Sequence, residues 1–219
     1  MSIKKFSSLL TILLVLFLFA GCSSAETTAS DKNAQSNGLQ SASSVPDDAD
    51  STTVTGDVTA VIEIEDYGTI KAELNADAAP ITVSNFVKLS EEGFYNGLTF
   101  HRIMEGFMMQ GGCPEGTGYG GSDQNIKGEF LANGVNNTLS HTRGALSMAR
   151  SQSYDSASSQ FFIVHEDSTF LDGSYAVFGY VTEGIEVVDK VCTEAKPTDG
   201  NGTIPKKAQP VIKSIKIIK

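Results

Sequence analysis

From Val58 onward the chain runs in short apolar stretches broken by turn residues. In "VTAVIEIEDYGTIKAELN", residues 58–75, the positions Val58, Ala60, Ile62 and Ile64 alternate with more polar neighbours. That period of two predicts a pair of strands joined at "DYG". The next stretch, "APITVSNFVKLSEEGFYNG", changes period: Val83, Phe86 and Val87 fall on one helical stripe. Pro80 suits the first turn of that helix and Gly93 its end. Five further runs, "LTFHRI", "FMMQGG", "GALSMA", "SQFFIVH" and "YAVFGYV", are short enough and apolar enough to be strands. "TEGIEVVDKVC" predicts a second short helix, and "PVIKSIKIIK" a closing strand with impure alternation. Many strands with two helices point to a mainly β barrel or sandwich.

Upstream the pattern is different. Lys4 and Lys5 precede an apolar block from Leu9 to Ala20 that ends in "FAGC". A basic start, about a dozen apolar residues and a small-residue cleavage site predict a secretory leader over residues 1–21. The block is short for a membrane-spanning helix, which needs about 20 apolar residues. Its end resembles a bacterial lipobox, in which Cys22 takes a diacylglycerol and becomes the mature N-terminus. Phe19 stands where leucine is usual, and a plain cleaved leader is the alternative. Residues 22–57 then carry no aromatic and almost no aliphatic side chain. Such a segment cannot bury enough apolar surface to offset its ordering entropy, so it is expected to be a flexible tether. About 35 residues of this kind reach roughly 30 Å. One folded domain is expected over residues 58–219.

Composition narrows the function. The 219 residues carry a formal net charge of -10, which argues against a nucleic acid or an anionic lipid surface as partner. With Cys22 assigned to the anchor, Cys113 and Cys192 remain; two free thiols are preferred to a disulfide, because their spacing gives a pair no support. The three histidines, His101, His141 and His165, form no H-x-x-x-H arrangement and no C-x-x-C accompanies them, so no metal site is signalled. "GTGYGG", residues 116–121, has the G-x-G-x-x-G spacing, but "SDQNIKGEF" follows it and opens no helix. It reads as a surface loop and not as a dinucleotide fingerprint. No G-x-S-x-G elbow presents a serine nucleophile.

What remains is "FHRIMEGFMMQGG", which sets an arginine and a glutamine among phenylalanines and methionines. With its companions "GTGYGG", "HTRGALSMAR", "SSQFFI" and "FLDGSYAVFGYV", in that order, the chain resembles the cyclophilin family of peptidyl-prolyl cis–trans isomerases over residues 58–219. The resemblance implies a closed eight-stranded antiparallel β-barrel capped by two α-helices, and no metal or organic cofactor. Arg102 matches the family's catalytic arginine. Phe107, Met108, Phe162 and Leu171 match the walls of a proline pocket, and Gln110 and Gln160 match polar groups facing the substrate backbone. Ala149 and Arg150 lie where a family strand offers main-chain hydrogen bonds.

Some positions depart from the pattern. Phe170 stands where many eukaryotic members carry tryptophan, and this chain has no tryptophan at all. The apolar surface survives there while the indole N–H donor is lost, which bears on cyclosporin binding more than on catalysis. Tyr175 stands where those members carry histidine, either at the pocket rim or in ordinary packing. Arg150 replaces a frequent asparagine, a change expected to matter little if only its main chain is used. The expectation is therefore a monomeric prolyl isomerase, lipid-anchored on the outer face of a bacterial membrane. Its partners would be proline-containing polypeptides, unfolded or folding secreted proteins. The alternative is a non-catalytic proline-peptide-binding module or holdase on the same fold.

Overall fold

The computed structural model describes Val54 and residues 58–219. The expected leader, Cys22 and the rest of the expected tether lie outside the described residues. Val54 itself is partly buried: its amide donates to Ser84 Oγ at 3.2 Å and its side chain packs on the core. The folded unit therefore reaches at least to Val54, four positions before the expected start at Val58.

Every apolar run becomes the element expected of it. In chain order these are β1 (Val58–Ile64), β2 (Gly68–Leu74), α1 (Pro80–Glu91), β3 (Thr99–Met104) and β4 (Met108–Cys113). They are followed by β5 (Ala145–Met148), β6 (Phe161–Val164), β7 (Val177–Glu183), α2 (Ile185–Glu194) and β8 (Ile212–Ile218). Pro80 opens α1, where its missing N–H costs nothing. Ala79 has no side chain with which to cap that helix, and a distant carboxylate does so instead. The amides of Ile81 and Thr82 donate to the two oxygens of buried Glu129 at 3.0 and 2.7 Å. A buried anion at a helix N-terminus satisfies orphan donors and meets the positive end of the dipole. Gly93, at φ 71°, closes the helix in the left-handed conformation that favours glycine.

The strands form one antiparallel sheet in the order β3-β4-β6-β5-β7-β2-β1-β8. The sheet curls but does not close, which corrects the closed barrel expected from the sequence. Its edges, β3 and β8, share no ladder and approach only at the Thr99–Val211 bridge. There Phe100 N–H donates to the Pro210 carbonyl at 2.9 Å, and Ile212 N–H to the Leu98 carbonyl at 2.8 Å. Pro210 has no N–H to return, so the pairing cannot propagate through it. The architecture is a curled eight-stranded half-barrel with two helices.

Curling gives the sheet an inner and an outer face. The inner face and α1 hold the main core, with Phe86, Phe100, Ile103, Met109, Phe161, Ile163 and Phe178 all fully buried. On the outer face of β4–β7 a second, smaller cluster forms from Met108, Ala145, Phe162, Val164 and Val177. Phe107, Leu171 and Tyr175 pack against it while remaining partly open. Cys113 ends β4 and Cys192 lies within α2; both are buried free thiols, as expected. Burial pushes the Cys192 thiol up to about 12.

Candidate active site

Strict alternation along β3 would send Phe100 and Arg102 to the same face. The register breaks between them: Phe100 pairs with Gly111, and Arg102 with Gln110. His101 is thus the extra residue of a β-bulge, which re-aims the strand by one position. Phe100 and Ile103 enter the core, while Arg102 emerges beside Gln110 on the outer face. The local cost falls on His101, which is buried with neither ring nitrogen hydrogen-bonded among the described residues. Burial, then the charge of Arg102, depresses its pKa to about 4, so the ring stays neutral.

Arg102 borders an open cleft of about 230 Å³ whose other lining residues are Phe107, Met108, Gln110, Ala149, Arg150, Phe162, Leu171 and Tyr175. Residues from β3, β4, β6 and three loops, up to 73 positions apart, thus meet at one place. Two of the sequence-predicted residues are not part of this lining. Gln160 lines a neighbouring cleft of about 280 Å³, which shares Gln110, Ala149 and Arg150 with the first. Phe170 is 75% exposed, its ring 5.6 Å from that of Phe107. It extends the apolar rim outward.

The guanidinium is held by neutral groups. Nε donates to the Asn201 carbonyl at 2.8 Å, and Nη1 to Gln110 Oε1 at 3.3 Å. The thioether sulfurs of Met104 and Met108 lie 3.3 and 3.8 Å from Nη2 and Nη1. The Phe107 ring centroid is 5.8 Å from its central carbon. Among the described residues no carboxylate forms a salt bridge with it. Partial burial lowers its pKa, yet an arginine starts so high that it remains a cation.

Polar groups extend this arrangement along the cleft. Gln110 Nε2 donates to Gln160 Oε1 at 2.9 Å, and Gln160 Nε2 donates to the carbonyls of Gly118 and Gly120 at 2.9 and 2.7 Å. The "GTGYGG" loop is thereby tied to Arg102 through two amide side chains. Three features escaped the sequence reading. The turn carrying Asn201 is built by Asp199, which accepts from the amides of Asn201 and Thr203, both at 3.0 Å. Its Gly202 sits so close to β3 that a Cβ would fall 2.7 Å from the Ile103 carbonyl oxygen. The run "TDGNGT" signals a turn, but nothing local ties it to β3.

Arg150 is the second feature. Its side chain is no bystander, so the condition under which the change from asparagine would matter little is not met. The guanidinium lies 4.6 Å from the Tyr175 ring centroid and 5.1 Å from those of Phe130 and Tyr154. It donates twice to the Ser174 carbonyl, at 2.8 and 3.1 Å, and once to that of Ser151 at 2.9 Å. Tyr175 therefore serves both as cleft rim and as packing. The third is His141, fully buried and stacked on Phe162 at 5.9 Å and 13°. Its Nδ1 meets Asp172 at 2.8 Å and its Nε2 meets Ser147 Oγ at 3.0 Å. Burial lowers its pKa despite Asp172, so a neutral ring backs this wall of the cleft.

Comparisons with known proteins place the folded unit in a family. The family model for cyclophilin type peptidyl-prolyl cis–trans isomerases matches residues 59–218. Peptidyl-prolyl cis-trans isomerase B of Bacillus subtilis is 53% identical over 123 residues, which span 56% of this chain and 82% of that protein. The Helicobacter pylori enzyme of the same activity is 49% identical over 57% of this chain and 74% of its own. Among solved structures, a Cryptosporidium parvum cyclophilin type isomerase, crystallised in the presence of the dipeptide Ala-Pro, superposes with a TM-score of 0.64. It is 31% identical and covers 74% of this chain and 99% of that one. The chain belongs to the cyclophilin-type peptidyl-prolyl cis–trans isomerase family.

Proposed function

We propose that the cleft around Arg102 is where this isomerase turns X-Pro peptide bonds, with Arg102 as its catalytic residue. The observation that carries this reading is a partly buried cation with no carboxylate salt bridge among the described residues, set beside a cleft walled by Phe107, Met108, Phe162 and Leu171. A cation with that environment is free to meet charge that develops in a bound ligand.

The chemistry follows from the amide. Partial double-bond character makes its rotation barrier about 18–20 kcal/mol. Before proline the two isomers differ by only about 0.5–1 kcal/mol, yet they interchange in tens to hundreds of seconds. No bond need break; the twisted amide must be favoured over both planar forms. Twisting localises a lone pair on the proline nitrogen. A guanidinium donating toward that lone pair stabilises the twisted state more than the planar one, which is the condition for acceleration. Phe107, Met108, Phe162 and Leu171 would hold the proline ring, with Tyr175 and Phe170 extending the apolar rim. Gln110, Gln160 and the main chain at Ala149 and Arg150 would hold the preceding residues. Ala149 N–H is already committed to the Gln160 carbonyl at 3.0 Å, which leaves the Ala149 carbonyl and the Arg150 main chain for that role.

In a protease-coupled assay on an Ala-Pro peptide, the wild type is expected to accelerate isomerisation and Arg102→Ala to fall near background. Equal, near-background rates for both proteins overturn the assignment. We further propose that Cys22 is lipidated and that residues 22–57 tether the domain on the outer face of a bacterial membrane. Its clients there would be folding secreted proteins, and it would act as a monomer. The support is the leader pattern, the lipobox-like "FAGC" and the composition of the tether. Mass spectrometry of the mature N-terminus is expected to show a diacylglyceryl Cys22; an unmodified Cys22 or cleavage elsewhere overturns it.

A further inference from the structure

The turn between β3 and β4 carries Phe107, and it is secured from an unexpected side. Phe107 N–H donates to the Met104 carbonyl at 3.0 Å, closing a four-residue turn with Gly106 at φ 77°. Within such a turn the amide of the third residue, Gly106, has no partner of its own. Here it donates to Nδ1 of His165 at 2.9 Å. His165 follows β6, is nearly buried, and also donates its own amide to the Phe107 carbonyl at 2.8 Å. Two hydrogen bonds thus fasten the turn to this one residue.

The geometry decides the tautomer. Because Nδ1 accepts a proton from a backbone amide, it is bare, and the ring proton sits on Nε2. Nε2 faces Asp189 of α2 at 3.3 Å. Asp189 is in turn gripped through both oxygens by Arg143, at 2.7 and 2.8 Å, while Arg143 also donates to the His165 carbonyl at 2.8 Å. Asp189 of α2 and Arg143, from the segment before β5, are the charged groups at His165; Cys192 of α2 lies in the field of both and of Glu105 from the turn, and the carboxylate of neighbouring Glu166 lies close to Gly106. A second proton on His165 can go only to Nδ1. It would set two N–H groups against each other and cancel the Gly106 bond.

We propose that His165 is a positioning residue for Phe107, and that its protonation unlatches this wall of the cleft. The inference rests on Phe107 being part of the proline cleft, as assigned above. It makes the isomerase sensitive to acid although the reaction itself moves no proton and Arg102 stays charged throughout. The neutral form is the competent one, so activity is present at high pH and is lost on acidification.

The test is a kcat/KM profile of the full domain on an Ala-Pro peptide, measured from pH 8 down to pH 5, with circular dichroism confirming the fold at each pH. The wild type is expected to lose roughly 2- to 10-fold toward acid, the equivalent of one hydrogen bond. The Gly106 amide resonance is expected to titrate with the same midpoint. His165→Asn places a non-titrating acceptor where Nδ1 was and is expected to flatten the profile, whatever its absolute level. A flat wild-type profile, loss explained by unfolding, or the same acid loss in His165→Asn overturns the proposal. Phe107→Ala at pH 8 separates it from the reading beneath: unchanged kcat/KM there refutes the cleft assignment, whereas a loss there beside a flat wild-type profile refutes only the latch.

Discussion

Phe161 and Phe162 are neighbours on β6 with opposite surroundings. Phe161 is 0% exposed and meets Phe86, Tyr95 and Phe100 edge-on, with centroids 5.3, 5.5 and 6.0 Å away. Phe162 is hardly more exposed, at 5%, yet it is backed by His141 and Tyr175 and borders the cleft. Burial alone does not separate them. What separates them is whether the surrounding groups complete a closed apolar shell or leave one side for a ligand. The inner face of the sheet is filled by its own chain. The outer face is built with the same residue types and leaves an open cleft, where the proposed function seats a proline ring.

That contrast can be broken first at the inner face. Phe161→Ala is expected to cost about 3–5 kcal/mol in urea denaturation, because a core of interlocking rings cannot collapse around the void. Phe162→Ala is expected to cost clearly less stability and to raise KM instead. Equal stability losses with unchanged KM would mean that the outer cluster is simply more core.

The next largest effect concerns the bulge that separates the two faces. His101 has its pKa depressed to about 4 by burial and by Arg102, whereas in an unfolded chain it titrates normally. On acidification the unfolded state takes up the proton first, so the stability is present above about pH 6.5 and drains away toward pH 4. The expected loss between pH 7.5 and 4.5 is about 2–3 kcal/mol, and His141, also lowered by burial, adds in the same direction. His101→Phe removes the titrating group and is expected to flatten the profile by about that amount. Urea midpoints measured at both pH values check this.

A smaller effect is expected at the cleft's far end. Arg150→Ala releases Ser174 and the stacked Tyr175, which should cost about 1 kcal/mol of stability and raise KM a few-fold at nearly constant kcat. Arg150→Lys is not expected to rescue it, because a point charge cannot serve two carbonyls and three rings as a planar fork does. Full rescue by lysine would show that charge alone matters there.

The fold was largely legible, and the reasons are local. Alternation in "VTAVIEIEDYGTIKAELN" and the stripe Val83–Phe86–Val87 each report a face, and faces survive folding. The lining of the cleft was legible too, since all nine of its residues stand in recognisable blocks. The failures share a cause: each depends on contacts distant in sequence. Pro210 stops the sheet from closing, but only the position of β3 reveals that. Glu129 caps a helix that starts 49 residues earlier. Asn201, Gly202 and the side chain of Arg150 owe their roles to partners that no spacing announces. The bulge at His101 is the instructive case, because alternation predicts the wrong face for Arg102 and the register corrects it.

On the proposed mechanism, Arg102 favours the twisted amide over the bound planar one. The direct test is to measure, for wild type and Arg102→Ala, both kcat/KM and the Kd of an Ala-Pro peptide, the latter by NMR titration. Selective stabilisation predicts a loss of about 100-fold or more in kcat/KM with Kd changed by no more than about threefold. A Kd that weakens by the same factor as kcat/KM would contradict it, and would make the arginine a binding group alone.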